Sequence, residues 1–478
     1  MRKLVVALLG LGACYAWPTI PNPDHPADGG GDGGGTSVSS CPSGGTLVNS
    51  GAELQKVLAS ALASDPVSEL VFCLSPGASP YTFSEPLAAK TSTLGNVLLP
   101  PITAAVMIIG LGSKPADTEL AASNANTPTL NFANLRCPAS SGRFFYVKPT
   151  GHLKLVNLEL NGGCVQGGRG GLGTGGGGGG GGGAGLGGAV LVEGGKLTLD
   201  RVSFRNNLAL GGLGGGSRAT TNGIAGGGGG GGGLDPSGSI SDGAQAPDPI
   251  AGMTLMSGGS GGGSTGGSGS TAQGGAGQGS GGGGGGGGTT SMTNTAAAKG
   301  SNGGIGAPLA GGGGGGGAIN SGGMGNATGG TGGAPGFCGG GGGGGGAGGL
   351  NAVSTIGSGG NPEYSMFLGT PGRSYACGDT GEMATGGVGG AGGSGWGLGG
   401  AIAFLGGELT VVQLAPALQV NNQALTPDRG SARRDGTGAF LFAIGTDSGA
   451  FKPFKTTSAP TDVPGVVIVN CTSQSGCL

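Results

Sequence analysis

Apolar and polar residues alternate over short stretches of this chain, and the alternation recurs. In Lys196-Leu197-Thr198-Leu199 and again in Glu408-Leu409-Thr410-Val411 every second side chain is apolar, the pattern of a strand with one buried face. The surroundings recur too. The first stretch follows Gly185-Leu186-Gly187-Gly188-Ala189-Val190 and Gly194-Gly195, and leads to Asn206-Asn207-Leu208-Ala209-Leu210. The second follows Gly397-Leu398-Gly399-Gly400-Ala401-Ile402 and Gly406-Gly407, and leads to Asn421-Asn422-Gln423-Ala424-Leu425, with a short insertion near Pro416. A looser copy lies upstream. Phe145-Tyr146-Val147 precedes Gly151, Leu153, Leu155, Leu158 and Leu160, which fall on Gly195, Leu197, Leu199, Val202 and Phe204. Each copy predicts a short strand, a bend and a second strand.

One helix is predicted ahead of these copies. Ser50 and Glu53 have the S-x-x-E spacing of a capping box, and Leu54, Val57, Leu58, Ala61 and Leu62 form one apolar stripe. Asp65-Pro66 ends it. Strand-like runs follow at 69–74, 105–109 and 129–132. Repeated short strands that cannot each bury an apolar face call for stacking, as a sandwich or a solenoid. Glycine at the corners favours the solenoid, and the helix would then cover its open end, where strand edges are unpaired.

The Leu-Gly-Gly-Ala-Val segment, the strand after it and Phe204-Arg205-Asn206-Asn207 resemble right-handed parallel β-helix proteins of the pectin-lyase-like superfamily. The likeness is to bacterial secreted or surface proteins with GGA[IV] and FxxN motifs, such as polymorphic outer-membrane proteins. Phe204 and Asn207 make one full FxxN; the later copy has Gln419 at the Phe position. The resemblance covers about 41–210 and 397–478. It implies an all-β, right-handed parallel β-helix solenoid with an N-terminal capping helix. It implies an activity only weakly, because the fold carries both enzymes and adhesins.

Composition changes the picture in one region. Of 478 residues 130 are Gly, while 9% are charged and 4% aromatic. An ordinary enzyme with one large core is excluded, and disorder driven by charge is disfavoured. Gly-X-Y periodicity with high proline is missing, which disfavours collagen. The glycine runs are 175–183, 226–233, 281–288, 311–317 and 339–346. Most lie in a glycine-rich insert spanning 211–396. Two readings stay open for it. One is a flexible low-complexity loop. The other is a polyglycine-II bundle of polyproline-II-like strands, antiparallel and of one common length, packed through backbone contacts alone.

The N-terminus reads as an export signal: Arg2 and Lys3 precede an apolar run at 4–13 that is too short to span a bilayer. Leu11-Gly12-Ala13-Cys14 resembles a lipobox, with Cys14 as the lipidation site; ordinary cleavage after Ala16 is the rival. The expected organisation is a signal peptide (1–13), a flexible tether (14–40), the N-terminal β-helix part (41–210), the insert (211–396) and the C-terminal coils (397–478). The other eight cysteines are even in number, as in an exported disulfide-bonded chain. Proximity in sequence pairs Cys41 with Cys73, Cys137 with Cys164, Cys338 with Cys377 and Cys471 with Cys477.

Candidate chemistry is sparse. His152 falls on Lys196 and Glu408, outward positions of the repeat. Gly258-Gly259-Ser260-Gly261-Gly262 matches G-x-S-x-G by composition alone. Asp235, Asp242 and Asp248 offer oxygen ligands for Ca²⁺, but in no known loop spacing. Glu159, Glu193, Asp200 and Glu408 occupy different registers, so no acid/base pair for glycoside hydrolysis is read. No cofactor is expected. The formal net charge of −2 gives no reason to expect nucleic acid. The expected function is that of an exported, non-catalytic cell-surface protein in adhesion, matrix or surface structure. It would be placed as an outer-membrane lipoprotein or extracellularly, with a polysaccharide or another cell-surface ligand as partner and membrane contact only through the lipid. The alternatives are a polysaccharide lyase or hydrolase on the same fold and, less directly, an ice- or mineral-binding polyglycine surface.

Overall fold

Helix α1 (Gly51–Ala63) begins where its capping chemistry places it. The Ser50 hydroxyl accepts the Glu53 N–H at 3.1 Å. The Glu53 carboxylate accepts the Asn49 N–H at 2.8 Å, one residue earlier than in a standard capping box. Leu54 and Leu58 are fully buried, and Val57, Ala61 and Leu62 pack against the same core. The expected stripe is thus the buried face. The computed structural model describes residues 40–64, 68–83, 97–122, 137–138, 141–218 and 389–426, short segments between 227 and 375, and strands between 434 and 477. All of these lie in one unit, Val38–Leu478.

The protein is built mostly of strands in parallel sheets. Strands β1 (Thr46–Val48), β2 (Leu70–Leu74) and β4 (Ala105–Gly110) join in parallel order. The shorter β3 (Tyr81–Phe83) and β5 (Glu119–Ala122) pair beside them. The runs expected at 69–74 and 105–109 are β2 and β4; the one at 129–132 lies outside the described residues.

The repeated copies then follow one another. The first gives β6 (Phe145–Val147), β7 (His152–Asn161) and β8 (Cys164–Gln166). The second gives β9 (Gly185–Leu186), β10 (Val190–Val192), β11 (Lys196–Arg205) and β12 (Leu208–Leu210). The third gives β13 (Gly397–Leu398), β14 (Ile402–Phe404), β15 (Gly407–Val420) and β16 (Gln423–Thr426). In each of three sheets the second copy lies between the other two, in parallel: β6-β10-β14, β7-β11-β15 and β8-β12-β16. Two later strands, β17 (Leu441–Thr446) and β18 (Val466–Ser473), extend the first of these sheets in parallel.

Register turns the pattern into a core. Leu197 sits between Leu153 and Leu409, Leu199 between Leu155 and Val411, and Val190 between Phe145 and Ile402. Apart from half-buried Val411, which packs against it, these residues are almost fully buried and belong to one cluster that also holds Leu54, Tyr81 and Phe144. Each copy buries against its neighbours the face it could not bury alone. In β7 and β11 the bend has a local cause: Asn157 and Arg201, each directly after the paired residues Val156 and Asp200, have φ of 51° and 53°. At the next corner Asn206 and Asn421 have φ of 53° and 58°, a left-handed conformation that Asn tolerates better than most residues.

Glycine segments are hydrogen-bonded by a different rule. From Gly178 to Gly183, successive N–H groups donate to Gly315, Gly390, Gly171, Gly312, Gly393 and Gly168, at 2.7–3.0 Å. Every third donor returns to the same neighbour. Carbonyls of this segment accept from Gly229 and Gly232, from Gly212 and Gly215, and from Gly340. The segment therefore touches six others. Its neighbours run both ways: Gly178 and Gly181 meet Gly315 and Gly312 in antiparallel order, whereas Gly179 and Gly182 meet Gly390 and Gly393 in parallel. This differs from the uniformly antiparallel arrangement expected from sequence. No core forces alternation here, because backbone donors and acceptors alone set the pairing. Segment 168–183, ahead of β9, takes part fully, so hydrogen bonds cross the expected insert boundary at Gly211.

Candidate functional site

The acids flagged in the repeats are each held by a partner. Glu408 on β15 lies 3.0 Å from Lys196 on β11, its in-register neighbour. His152 on β7 occupies the same row, as the alignment of copies required, and its Nε2 lies 3.1 Å from the Thr198 hydroxyl. Asp200 is 3.9 Å from Arg201. Glu193 accepts the hydroxyl of Tyr146. Burial, and then that hydrogen bond to a carboxylate, push the Tyr146 pKa well above the ordinary phenol range.

Glu159 is the most enclosed of these acids, with its side chain 6% exposed. Its Oε2 accepts from Ser203 at 2.8 Å and from Arg205 at 3.2 Å. Sequence reading missed its neighbour: Glu119 on β5 stands in register with it and accepts from Asn161 at 2.6 Å. Asn206 in turn donates to Asn161 at 3.0 Å. Two carboxylates from different parts of the chain thus enter one polar row. Both are turned toward side-chain donors of the next copies, which ties the copies together. A cleft of about 480 Å³ between α1 and the first strands has Ser60, Ser64, Glu69, Val57 and Val71 among its lining residues. Among the described residues no group of three His, Cys, Asp or Glu side chains is placed to hold a metal ion.

Cysteine chemistry is clearer. Cys41 is bonded to Cys73 and Cys137 to Cys164, two of the pairs that proximity suggested. Cys471 and Cys477 face each other in an antiparallel register. Cys14, Cys338 and Cys377 lie outside the described residues, as do Asp235, Asp242 and Asp248. Of the G-x-S-x-G stretch, Ser260 sits in the glycine body, where its carbonyl accepts from Ala244 at 2.7 Å. No helix among the described residues is long and apolar enough to cross a membrane.

The distinctive surface belongs to the glycine segments. A Cβ on Gly181 would stand 1.8 Å from the Gly340 carbonyl oxygen, and one on Gly180 would stand 2.0 Å from that of Gly230. At these positions only glycine fits. Outer segments follow another code. In 299–306 the exposed residues are Lys299, Asn302 and Ile305, each three apart, with buried residues between except at half-exposed Ser301. In 328–334 the corresponding positions are Thr328, Thr331 and Ala334. The two run in parallel: Gly300, Gly303 and Gly306 donate to the carbonyls of Thr328, Thr331 and Ala334 at 2.8–3.0 Å. Inward, Gly304 donates to Gly284, and Gly330 and Gly333 donate to Gly316 and Gly313. Part of the signal was present in the sequence as the x-Gly-Gly triplets that begin at Asn302, Thr328 and Thr331, against the unbroken runs of the inner segments.

No family model, no curated protein and no solved structure matches this chain.

Proposed function

We propose that this is an exported, non-catalytic surface protein of adhesive or structural role. In this reading the parallel sheets are the coils of a right-handed parallel β-helix, α1 covers its first coil, and the glycine segments are a polyglycine-II bundle. The resemblance of the GGA[IV] and FxxN stretches to bacterial surface proteins of the pectin-lyase-like superfamily points the same way. One observation carries the proposal: the pairing of the copies runs unbroken into the glycine body. Gly179, Gly182, Gly185, Gly187 and Ala189 donate in turn to Gly390, Gly393, Trp396, Leu398 and Ala401. A three-residue hydrogen-bond repeat is that of a helix with three residues per turn. Such a body is continuous with its scaffold and gains its order from backbone bonds. It suits the display of a fixed surface better than the movement of catalytic groups. The acids of the repeats, most of them engaged in bonds between copies, support the non-catalytic side.

Anchoring through a lipid on Cys14 and a polysaccharide as ligand belong to the same proposal. The deciding experiment incubates the purified protein with a panel of polysaccharides and follows both binding and chain cleavage. Binding without cleavage is the expected result. Release of shorter chains would instead favour a lyase or hydrolase. Mass spectrometry of the mature N-terminus reads the anchor: a diacylated Cys14 supports it, and a chain starting at Trp17 overturns it.

A further inference from the structure

The glycine insert carries a repeat of its own. Thr289 pairs in parallel with Ala318, and Ala318 with Ala347. Successive partners stand 29 residues apart, as do the hydrogen-bonded Asn302 and Thr331. The same spacing runs through the glycine segments. Gly283 and Gly286 donate to Gly311 and Gly314, and Gly312 donates to Gly340. On the returning side Ala298 pairs with Ala327, and Gly274 donates to Asn302 as Gly303 does to Thr331. The bonds between outgoing and returning segments recur as well. Ser301 and Gly304 donate to Gly287 and Gly284; Gly330 and Gly333, in the same places one unit later, donate to Gly316 and Gly313. A Cβ on Gly304 would stand 2.0 Å from the Gly275 carbonyl oxygen, and one on Gly333 would stand 2.0 Å from that of Gly304. Composition hides this repeat, because a glycine run matches another at almost any offset; only the pairing fixes the spacing.

We propose that residues 274–355 are a stack of interchangeable 29-residue units, separate from the three copies of the scaffold, and that the number of units sets the extent of the surface the insert displays. Each unit is an outgoing glycine segment, a tip of two short strands and a returning segment. Ala298, Ala318 and Ala327 join successive tips in a small buried cluster. The glycines that meet the next unit recur in place, whereas the outward residues do not: Lys299 pairs with Thr328, and Ile305 and Ala334 hold the same place in successive units. Packing thus resides in backbone bonds that every unit repeats, and the outward rows carry the side chains that distinguish one unit from the next. This deepens the structural role proposed above and rests on the glycine segments being ordered.

The experiment compares the full chain with two deletions by hydrogen exchange. Removal of 282–310 takes out one whole unit, so that Gly311 follows Gly281 in the place of Gly282. Removal of 282–295 takes out about half a unit and leaves a returning segment without its outgoing one. The whole-unit deletion is expected to keep the amides of Gly313, Gly316, Gly330 and Gly333 within threefold of their parent exchange rates. The half-unit deletion, although it removes fewer residues, is expected to speed them at least tenfold. Amides of β11 report whether the scaffold is intact. Equal effects of the two deletions overturn the proposal. Unprotected inner glycine amides in the full chain overturn the ordered-glycine reading itself, and the unit with it. If the whole-unit deletion does not fold, Gly342→Ala in the full chain decides, since its methyl group would stand 2.0 Å from the Gly313 carbonyl oxygen. It is expected to speed exchange at 312–316 at least tenfold and to leave 283–286, one unit further on, within threefold. Equal acceleration in both segments, or none in either, refutes the stack.

Discussion

Asn207 and Asn422, 215 positions apart, are hydrogen-bonded side chain to side chain: Nδ2 of Asn207 donates to Oδ1 of Asn422 at 2.9 Å. The same Oδ1 accepts the Asn207 backbone N–H at 3.1 Å. Asn207 passes the pattern on, accepting from the Gly163 N–H at 2.9 Å and donating to the Leu160 carbonyl at 3.0 Å. Asn422 donates to the Phe204 carbonyl at 2.9 Å. The Asn of the FxxN motif is thus a corner bolt between successive copies.

That relationship sets the first prediction. Asn207 is fully buried, so Asn207→Ala leaves a buried N–H and a buried carbonyl unpaired. The expected loss is about 2–4 kcal/mol of folding stability, from two orphaned groups. Asn422→Ala, at a half-exposed corner, is expected to lose about half as much, since water can replace the side chain. Urea unfolding followed by circular dichroism checks both; equal losses would contradict the corner-bolt account.

Leu199 tests the stacked core. It is 1% exposed and lies between Leu155 and Val411. Leu199→Asp puts an unpaired carboxylate into an apolar row and is expected to abolish soluble, cooperatively folding protein. Leu199→Met keeps the volume and is expected to lose less than about 1.5 kcal/mol. Solubility and a denaturant midpoint for each variant are the readouts.

Gly181 tests the glycine body separately from the scaffold. Gly181→Ala places a methyl group 1.8 Å from the Gly340 carbonyl oxygen, so segments must separate. We expect amides around 178–183, 312–315 and 390–393 to exchange at least tenfold faster, while amides of β7 and β11 stay protected. Hydrogen exchange with mass spectrometry separates the two regions. Unchanged exchange in the glycine segments would mean that they do not pack as described.

Tyr81 gives a pH dependence. Its ring is fully buried, and its hydroxyl shares its one proton between the carbonyls of Val48 at 2.7 Å and Ser75 at 3.0 Å. Burial, reinforced by the nearby negative charge of Glu53, pushes its pKa up to about 12. The folded state then holds the proton more tightly than the unfolded chain, whose phenol titrates near ~10. The stability tied to this proton is complete below about pH 10 and is lost as the pH rises toward 12. Tyr81→Phe is expected to flatten that part of the stability curve while lowering stability at neutral pH. Denaturation midpoints between pH 8 and 12, with phenolate absorbance as a second signal, provide the check.

Much of this architecture was legible in the chain. Ser50 and the Leu54–Leu58 stripe defined α1, because capping and helical periodicity are local. The alternation in Lys196-Leu197-Thr198-Leu199 and its copy gave the register that pairs β11 with β15, because side-chain direction in a strand follows from spacing alone. In Thr328-Gly329-Gly330-Thr331-Gly332-Gly333 the three-residue spacing of non-glycine residues was legible, against the unbroken runs elsewhere. Tertiary structure decided the rest. Which way each glycine segment runs depends on how the chain returns between segments, and glycine carries no side chain to specify it. The meeting of Glu119 with Glu159, and of Asn207 with Asn422, depends on which strands lie next to each other. The residues of each copy determine what it can offer to a neighbour; only the pairing of strands in the sheets determines which neighbour receives it.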